Sequence, residues 1–249
     1  MEKLFFREKI KQGYEYSVGG VIQDRQKFVV GVIGICAGAG ATFTAMGLAF
    51  RLAEMTSGVT YVEGCPHGRQ CVSPYRLLAV DREFRRLIEK DGPGKGRPSI
   101  YKKVNWQVYK PYEGQERDSD EKEHDYRQAA GRIIIVDSPL SLDDVDIVVA
   151  VVDPFPPGIS AGMESFKRLR MLDEESSVGQ RKVLWLINKS DGGVALRQTE
   201  NFLKLKFDFE QLMIPAEVFY KAAYSCRQPF FICETEGINR LALKILNII

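Results

Sequence analysis

The chain has 249 residues, of which 45% are hydrophobic and 27% charged. That balance lies within the globular range and excludes wholesale disorder, a collagen-like repeat and a disulfide-held miniprotein, leaving one α/β domain of ordinary size as the expectation. Lys plus Arg number 35 against 33 Asp plus Glu, so the formal net charge of +2 gives no general electrostatic reason for strong binding to nucleic acid or to an acidic membrane, and any such binding must come from a local patch.

Taken in chain order, residues 1 to 27 mix aromatic and charged side chains and read as an N-terminal arm or edge element ahead of a domain spanning residues 28 to 249. The opening MEKLFFREKIKQG lacks the apolar stretch of a secretory signal, and no later run reaches the roughly 20 apolar residues of a bilayer-spanning helix. A cytoplasmic protein, at most peripheral at the membrane, is expected. Apolar β-prone runs recur at Phe28 to Ile35, Val59 to Val62, Val104 to Tyr109, Ile133 to Val136, Ile147 to Val152 and Val183 to Ile187. Several, such as IIIV and IVVAVV, are continuously apolar, as strands covered on both faces must be. Helical patterns lie between them at Thr42 to Met55, Tyr75 to Lys90, Gly162 to Leu172 and Val194 to Leu205. The alternation predicts an α/β fold with a doubly wound, mostly parallel sheet flanked by helices. Asp91 to Pro98 and the charged run Glu113 to Asp125 read as loops. The last segment, GINRLALKILNII, is amphipathic at helical spacing; a helix closing the core is the first reading and a membrane anchor the second. Cys36, Cys65, Cys71, Cys226 and Cys233 are odd in number and scattered, which fits free thiols, and Cys65, His67 and Cys71 fall short of the four ligands of a structural zinc site.

The chemistry concentrates in VVGVIGICAGAGATFTAMGLAFRLAE, Val29 to Glu54. A buried strand enters a turn of small residues and a helix opens at Thr42, a geometry that aims backbone N–H groups and a helix N-terminus at one point and so suits a phosphate. The same residues would also build a strand-to-helix turn without a ligand, with Thr42 as its N-cap. The candidate nucleotide-binding residues are Ala37, Gly38, Ala39, Gly40, Ala41, Thr42 and Phe43.

The segment resembles the ParA/MinD family of deviant P-loop ATPases, which also contains TadZ-like proteins of pilus assembly. In that family a K-G-G-x-G-K-T turn precedes a Leu- and Ala-rich helix, and CAGAGAT, Cys36 to Thr42, lies in the same frame with Gly38, Gly40 and Thr42 matching. VTYVEGCPHG from Val59 resembles the family's strand ending in D-x-D-P-Q-G, and IIIVDSP from Ile133 its strand ending in D-x-P. VDIVVAVVDP from Val145 and VLWLINKSD from Val183 resemble the later core strands, the second ending at the Asn that borders the base. The resemblance implies ATP or ADP with Mg²⁺, with Thr42 and Asp137 as metal-binding residues and Asn188 and Asp191 beside the base. NKSD, Asn188 to Asp191, also matches the N-K-x-D motif that reads guanine in GTPases, so GTP stays open beside an adenine nucleotide. For Asp137 the plain alternative is a carboxylate capping the turn that follows.

The departures bear on mechanism. Cys36 stands where the family's signature lysine reaches a partner subunit's phosphate, Ala41 where the P-loop lysine contacts the β- and γ-phosphates, and Glu63 and Cys65 where two aspartates stand. A thiol carries no fixed charge at neutral pH and hydrogen-bonds weakly. Phosphoryl transfer depends on positioned positive charge, and losing one such donor commonly costs about 3 to 4 kcal/mol of barrier. The expectation is weak hydrolysis or none, with no catalytic residue assigned. An active ATPase would need a cation from elsewhere, such as Arg69, and a transferase would draw on Glu63, His67 and Asp137. Only eight residues separate Asp137 from Asp146, which leaves little room for the switch element of the family. The resemblance further implies a homodimer and a protein partner for a positioning or recruitment scaffold. Lys167, Arg168, Arg170, Lys204 and Lys206 are the candidates for DNA contact if the protein is of the partition type.

Overall fold

The computed structural model describes residues 27–63, 81, 82, 86, 99–108, 126–139, 141–143, 145–175, 182–190, 194–203, 208–214, 216–231 and 235–249. Residues 1 to 26 of the arm expected at 1 to 27, nearly all of the helix expected from Tyr75 to Lys90, and the expected loops Asp91 to Pro98 and Glu113 to Asp125 lie outside them.

Eight strands form one sheet: β1 (Phe28–Gly34), β2 (Val59–Glu63), β3 (Ser99–Tyr101), β4 (Val104–Val108), β5 (Ile133–Asp137), β6 (Ile147–Val152), β7 (Lys182–Ile187) and β8 (Phe209–Gln211). Their order is β3-β4-β2-β5-β1-β6-β7-β8. Every pairing is parallel except β3 with β4. This is the expected α/β architecture, a mostly parallel sheet flanked by helices. Helices α1 (Ala41–Met55), α2 (Pro156–Glu175), α3 (Val194–Leu203), α4 (Ala216–Ser225) and α5 (Glu236–Ile248) complete it, with short 3₁₀ turns at Tyr126–Gln128 and Pro229–Phe231.

The continuously apolar strands are buried on both faces because alternate residues serve separate cores. Ile133, Ile135, Ile147, Val149 and Val151 pack with α1 and with Ile238, Leu241, Ala242 and Ile245 of α5. Ile134, Val136, Val148, Ala150 and Val152 pack on the other face with Ile159, Phe166 and Leu169 of α2. The period of two thus divides each strand between two helical layers. The C-terminal helix places its apolar residues against α1 and the sheet, the first of the two readings of its pattern.

Three features differ from the sequence expectation. The three-residue strands β3 and β8 extend the sheet at its edges, and α4 is an additional helix. α2 begins at Pro156 rather than at Gly162. Gly162 sits inside it where a Cβ would come 2.7 Å from the Ile35 carbonyl oxygen, so the glycine permits close packing of α2 on the end of β1.

Candidate functional site

The parallel strands β2, β5, β1, β6 and β7 end along one edge of the sheet, at Glu63, Asp137, Gly34, Val152 and Ile187, where ligands of open α/β sheets are received. β1 continues one residue further through a hydrogen bond from the Ile35 amide to the Val151 carbonyl (3.0 Å), and the chain then turns. The Ala39 amide closes the turn on the Cys36 carbonyl (3.2 Å). Gly38 and Gly40 hold φ values of 77° and 94°, a left-handed conformation costly for any residue with a Cβ.

Gly40, not Thr42, is the N-cap of α1, and it provides no side-chain cap. The helix's first i to i−4 bond runs from the Thr44 amide to the Gly40 carbonyl (3.0 Å), so the amides of Ala41, Thr42 and Phe43 belong to the first turn, where the helix supplies no acceptor. Ala41 and Phe43 pack their side chains on the core, Phe43 with its ring 4.2 Å from that of Phe230. An added Cβ at Gly38 would meet nothing within 4 Å, so the turn is open there.

The Thr42 side chain does not cap the helix and lies near enough to the Asp137 carboxylate to act on its pKa. Tyr61 donates its hydroxyl to Asp137 Oδ2 (2.9 Å) and Ser138 donates to Oδ1 (3.1 Å). Asp137 is 4% exposed. Burial pushes its pKa above the ordinary carboxylate value, and the nearby hydroxyls of Thr42, Tyr61 and Ser138 oppose that shift. Glu63 lies opposite Asp137 in the β2–β5 register and is buried. Cys65, His67 and Arg69 lie outside the described residues.

Beyond β7, Asn188 and Lys189 reach back to the turn. Asn188 donates from Nδ2 to the Ala39 carbonyl (2.8 Å), and its Oδ1 accepts the Lys189 amide (2.9 Å). Lys189, with φ 56°, donates from Nζ to the Gly38 carbonyl (3.1 Å) and pairs with Asp153 Oδ2 (2.7 Å). Asp153 is buried, and its Oδ1 also accepts the Phe155 amide (3.1 Å). The Cys36 thiol feels this pair. Burial first and the Asp153 charge second push its pKa up, while Lys189 pulls it down. Asp191 lies outside the described residues.

The structure therefore brings Thr42 to Asp137 and Asn188 to Ala39, and it places the turn residues 37 to 43 between them. Lys189 and Asp153 were missed as parts of this arrangement. Both stand in segments legible as strand ends, NKSD and VVDP, but nothing in either segment says that an ammonium bridges the two strands at the turn. Of the proposed DNA-contacting residues, Lys167 and Arg168 line a surface hollow of about 330 Å³ on α2 with Glu164, Met171 and Leu172, sharing no residue with the turn. Arg170 is paired with Glu174 (2.7 Å). Lys204 and Lys206 lie outside the described residues. No helix among the described residues is long and apolar enough to cross a membrane.

Neither protein-family models nor curated protein sequences give a match. Solved structures do. A plasmid partition protein from Borrelia burgdorferi B31 bound to AMPPNP superposes with a TM-score of 0.58 at 12% identity, over 90% of this chain and 98% of that one. The MinC:MinD cell division complex of Aquifex aeolicus matches with a TM-score of 0.56 at 15% identity, over 88% and 96%. The Pyrococcus furiosus cell division ATPase MinD gives 0.53 at 12% identity, over 90% and 100%. The chain has the fold of ParA and MinD ATPases; at these identities the likeness is one of fold.

Proposed function

We propose that the protein binds a purine nucleotide with Mg²⁺ at residues 37 to 43 and serves as a positioning or recruitment scaffold, with little or no hydrolysis. The observation that carries this reading is the buried Asp137 carboxylate at the end of β5, hydrogen-bonded by Tyr61 and Ser138 and influenced by the Thr42 hydroxyl, at the sheet edge that carries the glycine-bearing turn. A hydroxyl and a carboxylate are hard oxygen donors, and Mg²⁺ typically takes one or two protein oxygens, with waters and phosphate oxygens filling its octahedron. Thr42 and Asp137 fit that pattern. The bound metal would offset phosphate charge, while the amides of the turn and of the first turn of α1 would hold the phosphate oxygens.

The weak-hydrolysis part rests on side chains. Neither Cys36 nor Ala41 offers a cation, and the raised pKa of Cys36 keeps the thiol neutral. The B. burgdorferi neighbour is described as bound to AMPPNP and the A. aeolicus neighbour as a complex with MinC, which supports nucleotide and a protein partner here. We assign the biological setting to localisation of a pilus or secretion apparatus, in the manner of TadZ-like proteins, and the assembly to a homodimer. One observation favours the rival reading of an active ATPase with a relocated cation: Lys189 places an ammonium beside Gly38.

Calorimetric titration with ATP, ADP and GTP, with and without Mg²⁺, tests the reading together with phosphate release. Saturable Mg²⁺-dependent binding, lost in Asp137→Asn and unaccompanied by product, is the expected result. Turnover well above that of Asp137→Asn would favour the rival, and absence of binding by any of the three would remove both.

A further inference from the structure

In the β2–β5 register Tyr61 pairs with Ile135 and Glu63 with Asp137. Alternation along the two strands therefore sends the Tyr61 and Asp137 side chains to the same face of the sheet, the one covered by α1. Tyr61 is fully buried, and its ring lies 4.7 Å from that of Trp106 at an interplanar angle of 35°. Trp106 is buried too, with its ring 5.2 Å from that of Phe50 and its indole N–H donated to the Tyr101 carbonyl (3.2 Å). Close packing of this kind holds the Tyr61 ring in place and delivers its hydroxyl to one point, Asp137 Oδ2, at 2.9 Å. The packing by itself would be served by a phenylalanine. What the hydroxyl adds is the bond to Asp137.

The two oxygens of that carboxylate are engaged by different donors. Oδ2 accepts from Tyr61, and Oδ1 accepts from Ser138 at 3.1 Å. An ionised carboxylate offers about four lone-pair sites, so these two bonds take up half of its capacity, one site on each oxygen. A carboxylate held at both oxygens can neither turn freely nor give both of them fully to a large cation. Ca²⁺ collects six to eight oxygen ligands and often takes both oxygens of one carboxylate, whereas Mg²⁺ keeps several of its waters and asks for little from the protein.

We propose that Tyr61 is a positioning residue that sets the metal specificity of the site: by holding Asp137 Oδ2 it restricts the carboxylate to one-oxygen service, directly or through a water, and so favours Mg²⁺ over Ca²⁺ as the cation accompanying the nucleotide. The proposal rests on the nucleotide-binding reading above and adds to it the choice of cation, made by a residue that need not touch the metal.

The test titrates ADP calorimetrically into the full chain in metal-free buffer, in Mg²⁺ and in Ca²⁺, for the parent, Tyr61→Phe and Ser138→Gly, with a thermal melt of each protein without ligand. The parent is expected to bind ADP more tightly with Mg²⁺ than with Ca²⁺. In Tyr61→Phe that preference should fall by a factor of about five to ten, as for the loss of one hydrogen bond to a charged group, with ADP binding in metal-free buffer unchanged. Ser138→Gly removes the other donor and suits the left-handed backbone at that position (φ 56°), so it should lower the preference by itself, and it carries the test should Tyr61→Phe fail to fold. An unchanged preference in both variants would overturn the proposal. Equal weakening with the two metals would overturn it in favour of general support of the carboxylate, and unchanged affinities with a lowered melting temperature in favour of a packing role alone. A parent that binds ADP with neither metal would bring down the nucleotide-binding reading itself, before any variant is made, and the proposal with it.

Discussion

Cys36 shows how one residue reports on its neighbours. Burial and Asp153 raise its pKa and Lys189 opposes them, so less thiolate is present at pH 8 than for an ordinary thiol. Alkylation of Cys36 at that pH, followed on its own peptide by mass spectrometry, should be slower than that of free cysteine. Asp153→Asn should accelerate it by removing a charge that raises the pKa, and Lys189→Met should slow it by removing one that lowers it. Equal rates in all three proteins would show that the pair does not act on the thiol. At this scale the sequence was informative about Gly38, Gly40, Thr42 and Asp137, because left-handed turns and strand-end carboxylates leave marks in residue type. Asn188 was legible as a residue of the edge but not as a tie to the turn, since its partner is the backbone of Ala39 and a carbonyl has no residue-type signature.

The close packing of elements around the turn gives a prediction of a different kind. In β1, a Cβ on Gly31 would lie 2.9 Å from Pro139 Cγ and 3.0 Å from Val145 Cγ1, atoms of the segment that follows β5. Gly31→Ala is expected to destabilise the protein by about 1–3 kcal/mol, as overpacking a filled core does, measurable by urea denaturation. No change in the denaturation midpoint would show that Pro139 and Val145 yield. The six strands read from apolar runs agree with the structure to within a residue or two at either end: β1, β5, β6 and β7 because burial on both faces demands continuous runs, and β4 because its alternation of Val104 and Trp106 with Asn105 and Gln107 is the mark of a half-buried strand. β3 and β8 escaped because three residues at a sheet edge carry too little periodicity, and α4 because its exposed Tyr220 and Tyr224 obscure the amphipathic pattern.

The molecule as a whole is closed on one side by α5. Leu241 is fully buried against α1, and Leu241→Ala should cost about 2–5 kcal/mol, read by chemical denaturation. The same helix is tied to β8 by charge. Lys244 meets Asp208 (2.6 Å) and the buried Glu210 (2.8 Å), while Arg240 lies 3.5 Å from the other Glu210 oxygen. These carboxylates raise the Lys244 pKa against the opposing effect of burial. A raised folded-state pKa contributes stability that is fully present below the unfolded value of about 10.4 and is lost as pH rises through the folded value. Lys244→Met should therefore lower stability by about 1 kcal/mol at neutral pH, with the difference from the parent shrinking in strong alkali, where Lys244 loses its proton, and in acid, where its carboxylate partners gain theirs. A difference that did not shrink in alkali would show that the Lys244 charge is not its source. The pairing of α1 with α5 also orders events in time. α1, which carries the turn, emerges from the ribosome early, whereas its cover is translated after every strand of the sheet. A nascent chain cut short before Glu236 would show a bare oily flank on the helix that carries the glycine turn, a surface for a chaperone to grip, and that helix would gain its final backing only once those late residues had folded into place.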